Sequence, residues 1–197
     1  MTTPSLVGVL VAAGLGRRFG GRKQLHPWPT PGGPTPLVAV AFDAIAGVCD
    51  AMVVVTGAEA DAVMAALQPR AFEAVPGDPH GEMLDSIRAG LTATRRLAPR
   101  SAALLQPGDH PAVAPRTLTQ LIETHRANPA LAIMPEYAGK GGHPVLMPPC
   151  IIDAVLAAGV IEGGLRCFWE REPTRCRRVV VDDASIVRDV DRREDAE

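Results

Sequence analysis

Short runs rich in valine and leucine alternate along this chain with longer segments of helical period, and that alternation leaves few architectures open. An apolar run with no polar face suits a strand covered on both sides. Strands separated by helical segments suit a parallel sheet with helices on both of its faces. The expected strands are 6–13, 51–56, 102–105, 131–134, 145–147 and 178–181. The expected helices are 37–48, 59–67, 82–97, 115–127 and 149–158, the first opened by Thr35 as N-cap and Pro36 at the first helical position. Residues 26–34, with four prolines and two glycines, read as an ordered or semi-mobile loop. No repeat, low-complexity tract or long linker divides the 197 residues, 47% of them apolar, so one domain spanning 1–197 with a sizeable core is expected.

The first apolar run leads directly into Gly-Leu-Gly-Arg-Arg-Phe-Gly-Gly-Arg-Lys at 14–23. Gly14, Gly16 and Gly20 fall where the chain leaves the sheet, where positive φ is available and bare N–H groups can face an anion. Arg17, Arg18, Arg22 and Lys23 add donors for phosphate oxygens, Arg as a planar fork and Lys as a point charge. The segment reads as a triphosphate cradle, with a solvated basic loop as the alternative. A Walker A loop is excluded, because the only Gly-Lys pair, Gly139-Lys140, is followed by Gly141 and has Met134 where the first glycine belongs. A dinucleotide fingerprint fits poorly. Gly16 to Gly20 is one residue too long, and Glu59 lies far beyond the roughly 20 residues at which an acid is expected. An NAD-dependent oxidoreductase therefore ranks below a nucleotide-phosphate enzyme.

From Ala12 to Lys23 the loop resembles the Ala-Ala-Gly-x-Gly-x-Arg-x-Gly-x-x-Lys signature of the sugar-phosphate and molybdenum-cofactor nucleotidyltransferases. Met83, Ser86, Ile87, Gly90 and Leu91 resemble that group's Gly-Met-x-x-Ser-Ile-x-x-Gly-Leu helix, and Gly108-Asp109-His110-Pro111 its Asp-Gln-Pro metal turn. Gly142-His143-Pro144-Val145 resembles the Gly-His-Pro-Val segment of the branch acting on molybdopterin, and Asp189-Val190-Asp191 opens a segment resembling Asp-Ile-Asp-Thr-Pro-Glu-Asp. By these segments the chain is similar to the molybdenum cofactor cytidylyltransferases of the MobA-like NTP transferase family. The resemblance implies a Rossmann-like three-layer α/β sandwich with a mostly parallel central sheet, of the nucleotide-diphospho-sugar transferase type. It implies Mg2+-dependent transfer of CMP from CTP to a phosphate acceptor such as molybdopterin, releasing pyrophosphate, with a molybdoenzyme as a further partner. The Gly-His-Pro segment favours CTP over GTP. The alternatives are a guanylyltransferase and a non-catalytic module that delivers a bound cofactor. Arg192 and Arg193 in place of Thr-Pro, and the lack of an asparagine near Gly77, would suit that module.

The resemblance assigns nucleotide binding to Ala12, Ala13, Gly14, Leu15, Gly16, Lys23, Gly77 and Ser86, and catalysis to Arg18, Lys23 and Asp109. Asp109 follows the apolar run 102–105, so it stands past the carboxyl end of a strand, where open α/β sheets bind ligands. There it could hold Mg2+ or simply form its own turn; the resemblance favours the metal. Asp189 and Asp191 are the candidates for a second metal carboxylate, since alternate residues of an extended segment face one side. Which of the two does so is open, as is a solvated acidic tail. His143, after Gly139, Gly141 and Gly142, is expected on a flexible turn, contacting the acceptor by resemblance. Ser86 is expected to cap a helix if it does not face the ligand. His110 and His80 stand where the group has other residues and leave the nucleotide undecided. An acceptor phosphate with second pKa near 6 is already mostly dianionic at neutral pH, so no general base is required. Charge neutralisation is, and Lys23→Ala is expected to cost turnover with little loss of stability.

A net charge of −2, with cations gathered in the glycine loop and near 95–100, speaks for small anionic ligands and against nucleic acid. Cys49, Cys150, Cys167 and Cys176 form no C-x-x-C pair and are expected to be reduced, small buried residues. The first apolar run lacks a basic flank and is too short to span a membrane, so a soluble, cytoplasmic protein is expected.

Overall fold

The structure is a computed structural model, and it describes residues 5–196. In chain order its elements are β1 (Leu6–Ala12), β2 (Pro27–Trp28), β3 (Thr35–Pro36), α1 (Leu37–Ala46), β4 (Ala51–Thr56), α2 (Ala60–Ala66), β5 (Glu73–Pro76) and α3 (Met83–Leu97). There follow β6 (Ala102–Pro107), α4 (Pro115–Ala127), β7 (Ala132–Tyr137), β8 (Lys140–Gly141), β9 (Val145–Met147), α5 (Pro149–Ala157), α6 (Gly164–Arg171) and β10 (Cys176–Val180). Seven strands form one sheet in the order β10-β7-β9-β6-β1-β4-β5, with β8 added beside β7. Pairing is parallel except at β9, which runs against both β6 and β7, and at β8.

Alternation along β1 divides the core. Leu6, Leu10 and Ala12 face one layer with Val38, Phe42, Val63 and Leu121, from α1, α2 and α4. Val9 and Val11 face the other with Leu84, Ile87, Ile151 and Phe168, from α3, α5 and α6. Every residue of β1 and β6 is buried, as strands covered by helices on both faces must be.

Within the second layer, helices are also stitched by polar contacts. Arg88 of α3 reaches the carboxyl end of α5, where its guanidinium donates to the carbonyls of Val155 (3.3 Å), Gly159 (2.7 Å) and Ala158. These are carbonyls that a helix end leaves without partners. Arg88→Ala is expected to cost about 2 kcal/mol. Urea unfolding checks this as a lower midpoint at unchanged slope.

Several expectations are corrected. Thr35 and Pro36 do not open α1: they pair with Trp28 and Pro27 in a short hairpin, and the Thr35 hydroxyl donates to the Gly33 carbonyl. The helix begins at Leu37 with no side-chain cap. The strand β5 was not expected, because it is a four-residue edge strand ending in proline and exposes alternate residues. The short hairpin partner β8 and the helix α6, of which only Phe168 is fully buried, were likewise unforeseen. The four cysteines are free, but none is fully buried and Cys150 is exposed. Among the described residues, no helix is long and apolar enough to cross a membrane.

Candidate active site

Because β1, β4, β5 and β6 run parallel, their carboxyl ends meet at one edge of the sheet. The antiparallel β9 brings its amino end, and so His143, to that same edge. The loops that follow carry nearly every residue singled out from sequence.

The glycine loop after β1 makes two single turns of 3-10 helix, Arg17–Phe19 and Lys23–Leu25. Gly16, Gly20 and Gly21 have positive φ, while Gly14 does not, contrary to expectation. Gly16 is required for a second reason: a Cβ there would stand 2.8 Å from that of Lys23. Gly14 has open space around its Cα, so the fold itself does not demand a glycine at that position. Leu15 is half-buried, and Ala12 and Ala13 are buried.

Lys23 is only 7% exposed, and its ammonium joins two carboxylates from distant parts of the chain. Nζ lies 2.7 Å from Asp109 Oδ2 and 3.0 Å from Asp191 Oδ1. Arg18, its side chain 81% exposed, donates to the other Asp191 oxygen at 3.0 Å. Burial pulls the Lys23 pKa down, but the charge and hydrogen bonds of Asp109 and Asp191 outweigh it and leave it raised. The Lys23 hydrogen bond in turn holds Asp191 below the usual carboxylate range. A raised lysine and a depressed aspartate keep the Lys23 and Asp191 pair ionised from below the ordinary carboxylate pKa to above the ordinary lysine pKa. Against the expectation that Lys23→Ala spares stability, this burial sets a cost, and the variant is expected to melt at a lower temperature than the wild type. Removing the buried ammonium leaves Asp109 without its lysine and Asp191 with Arg18 alone.

Asp191 is held in place by its own segment. The Val190 amide donates to the Asp109 carbonyl (3.0 Å), and the Asp195 carboxylate accepts from the amides of Asp191 (3.0 Å) and Arg192 (2.6 Å). Arg193 donates to the Phe19 carbonyl and lies 5.8 Å over its ring, so this departure from the family pattern ties the tail to the glycine loop. Asp189 is exposed and reaches the site only through its charge on His110. The two aspartates thus play different parts, and a freely solvated acidic tail is ruled out.

Gly77, Ser86 and Ala13 meet at the ends of β5, α3 and β1. A Cβ on Gly77 would approach Val55, Ala13 and the Ser86 hydroxyl at 2.8, 3.0 and 3.1 Å. Ser86 is buried and does not cap α3 as expected. Glu82 and Asp85 do so, as a reciprocal capping box. His80 is exposed in the 77–82 turn, its amide bound to Asp78.

His143 is pinned rather than flexible. Its amide donates to the Ile186 carbonyl at 2.9 Å, and its ring meets that of His110 edge to face at 4.9 Å. Burial, then the neighbouring His110, push His143 down to about 3, and burial lowers His110 against the pull of Asp109. Both imidazoles are neutral at pH 7. Their Nδ1 atoms, with Oε1 of Gln24 and Gln106, are enclosed without a hydrogen-bond partner. Neither glutamine was foreseen, since nothing in a lone Gln marks it as destined for a site.

Two cavities open beside the loops of this edge. One of about 140 Å³ is lined by Gly14, Leu15, Arg22, Gln24 and Glu59. Glu59 was set aside on sequence distance, yet it follows β4, the strand beside β1, and lies 3.7 Å from Arg22. The other, of about 1040 Å³, is bounded by His143, Lys140, Met83, Trp169 and Arg178. Among the described residues, no group of three or more His, Cys, Asp or Glu side chains is arranged to hold a metal. A cation here would rest on two carboxylates and on ligand oxygens.

The sequence model of the MobA-like NTP transferase domain matches residues 8–176. Nicotine blue oxidoreductase of Paenarthrobacter nicotinovorans is 30% identical, over 95% of this chain and 93% of its own. Among solved structures, Rv0371c of Mycobacterium tuberculosis H37Rv superposes with a TM-score of 0.79 at 26% identity, covering 99% of this chain and 96% of that one. A structure of Rv0371C in complex with manganese gives a TM-score of 0.72 at 24% identity, over 97% and 95%.

Proposed function

The chain belongs to the MobA-like NTP transferase family, and from that membership we propose that it is a Mg2+-dependent nucleotidyltransferase moving CMP from CTP to a phosphorylated acceptor, molybdopterin, with release of pyrophosphate. The reading is of a cytoplasmic enzyme that serves a molybdoenzyme. The observation that carries it is the convergence of Asp109 and Asp191 on one cationic point beside the glycine loop.

That geometry fits a divalent ion. Oxygens of both carboxylates already surround the Lys23 ammonium at 2.7 and 3.0 Å, and Mg2+ prefers one or two carboxylates completed by phosphate oxygens and water. Manganese in the Rv0371C complex is in keeping with a divalent metal. When bound, the metal would neutralise charge on the phosphates. The chain's own residues do the rest. The backbone from Ala12 to Gly16 receives the nucleotide, and Gly77 and Ser86 close the same end of the sheet. Arg18 and Lys23 offset charge on the departing pyrophosphate, and His143 borders the larger cavity, where the acceptor would sit. Positioning and electrostatics supply the rate, as phosphoryl-type transfers require.

A second reading is favoured by one observation, the 30% identity to a protein named as an oxidoreductase. Glu59 at the end of the strand next to β1 keeps a dinucleotide arm in the test. The test is thermal stabilisation by CTP, GTP, ATP, UTP, NADH and NADPH, each with Mg2+ or Mn2+. A CTP-selective, metal-dependent rise with pyrophosphate release in the presence of acceptor is expected. A GTP-selective rise would move the protein to guanylyl transfer, and a rise without turnover to cofactor delivery. A rise with NADH or NADPH alone would overturn the transferase reading.

A further inference from the structure

Lys23, the residue expected to bind phosphate, is fully engaged elsewhere. Its ammonium is buried between Asp109 and Asp191, and Arg18 lies on the same Asp191 carboxylate. Two negative charges thus face two positive charges with no ligand required. We propose that Lys23 is the resident counter-cation of the Asp109 and Asp191 pair, exchanged for the divalent metal when a triphosphate arrives, so that metal and nucleotide each strengthen the binding of the other. The inference rests on the metal role given above to these two carboxylates.

The charges dictate the coupling. A dication entering alone meets an ammonium already within 3.0 Å of the oxygens it needs. A triphosphate entering alone meets two carboxylates and finds both cations taken. Entering together, the dication satisfies the carboxylates while the ammonium and guanidinium are released to phosphate oxygens. Little has to move. The Lys23 backbone is packed against Gly16 of the glycine loop, so only its flexible four-carbon stem swings, and Arg18 is already solvent-exposed. Asp109 and Asp191 stay where their segments hold them, through the backbone bond from Val190 to Asp109 and the Asp195 cap. By linkage, any gain in metal affinity from the triphosphate equals the gain in triphosphate affinity from the metal.

The exchange is tested with each ligand by itself, on the full chain stripped of metal by a chelator. Lys23→Met is expected to bind Mn2+ alone roughly tenfold or more tightly than the wild type, as measured by calorimetry. Its melting temperature should fall in chelator and recover with Mn2+, and Lys23→Gln should behave alike if the methionine variant fails to fold. Asp191→Asn is expected to bind tripolyphosphate more tightly than the wild type in chelator, because Arg18 is freed and Lys23 keeps a single carboxylate partner. Mn2+ binding that depends on Asp109 but is unchanged or weaker in Lys23→Met would overturn the exchange and leave the metal reading standing. Mn2+ binding that survives Asp109→Asn would remove the metal reading, and the exchange with it.

Discussion

Asp109→Asn is expected to lower the rate of metal-dependent pyrophosphate release by about a hundred- to a thousandfold, the scale seen when a charge-stabilising group is removed from a preorganised site. The substitution preserves shape and keeps the Asp109 carbonyl that accepts from Val190, so the turn after β6 and the docking of the tail survive. What it removes is one of the two negative charges that meet at Lys23. Asparagine is a weak metal ligand and leaves the ammonium with a single carboxylate partner. Steady-state release of pyrophosphate from CTP and acceptor, with melting curves of the same preparations, checks the expectation. A rate within tenfold of the wild type, in a protein that melts normally, would take Asp109 out of the catalytic machinery.

Asp183→Ala is expected to destabilise the fold by about 3 kcal/mol, the scale of losing a buried, multiply bonded charge partner. Asp183 is buried where the chain returns from β10 towards the site. One carboxylate oxygen accepts from the Ala114 amide at 2.8 Å and the Thr117 hydroxyl at 2.7 Å, and the other from the amide and hydroxyl of Ser185. It therefore caps α4 from outside and anchors the tail that carries Asp191. Burial alone would raise its pKa, but the bonds from Ser185, Ala114 and Thr117 prevail and hold it below the usual range. A depressed folded-state pKa contributes stability above the unfolded value and loses it as pH falls through the folded value. The gap between wild type and variant should be full at neutral pH and narrow as the pH drops below about 4. For a chain of this size the loss corresponds to roughly 6–12 °C in melting temperature. A shift of less than about 2 °C would show that solvent satisfies the partners of Asp183 equally well.

Much of the site is visible in the chain because it is local. Strand, turn and cation occur in one stretch from Leu6 to Lys23, and Asp109 directly follows a buried strand, so periodicity and glycine spacing mark both. The elements that escaped notice are those whose sequence carries little such signal. β5 is short and half exposed, α6 is mostly polar, and Thr35-Pro36 has the chemistry of a helix start but pairs instead with Pro27-Trp28. In that last case the hairpin register prevailed over a local preference worth only about 1 kcal/mol.

By itself the sequence determined the layered α/β class and the glycine loop from neighbours a few residues away, while the candidacy of Lys23, Asp109, Asp189, Asp191 and His143 rested in addition on short segments that resemble a known family. Only the tertiary structure decided between Asp189 and Asp191 as the partner of Lys23, pinned His143 against His110, and set Glu59 beside the glycine loop. Those choices join residues up to 168 positions apart, and charge compensation between them exists only once the sheet has brought its loops to one edge.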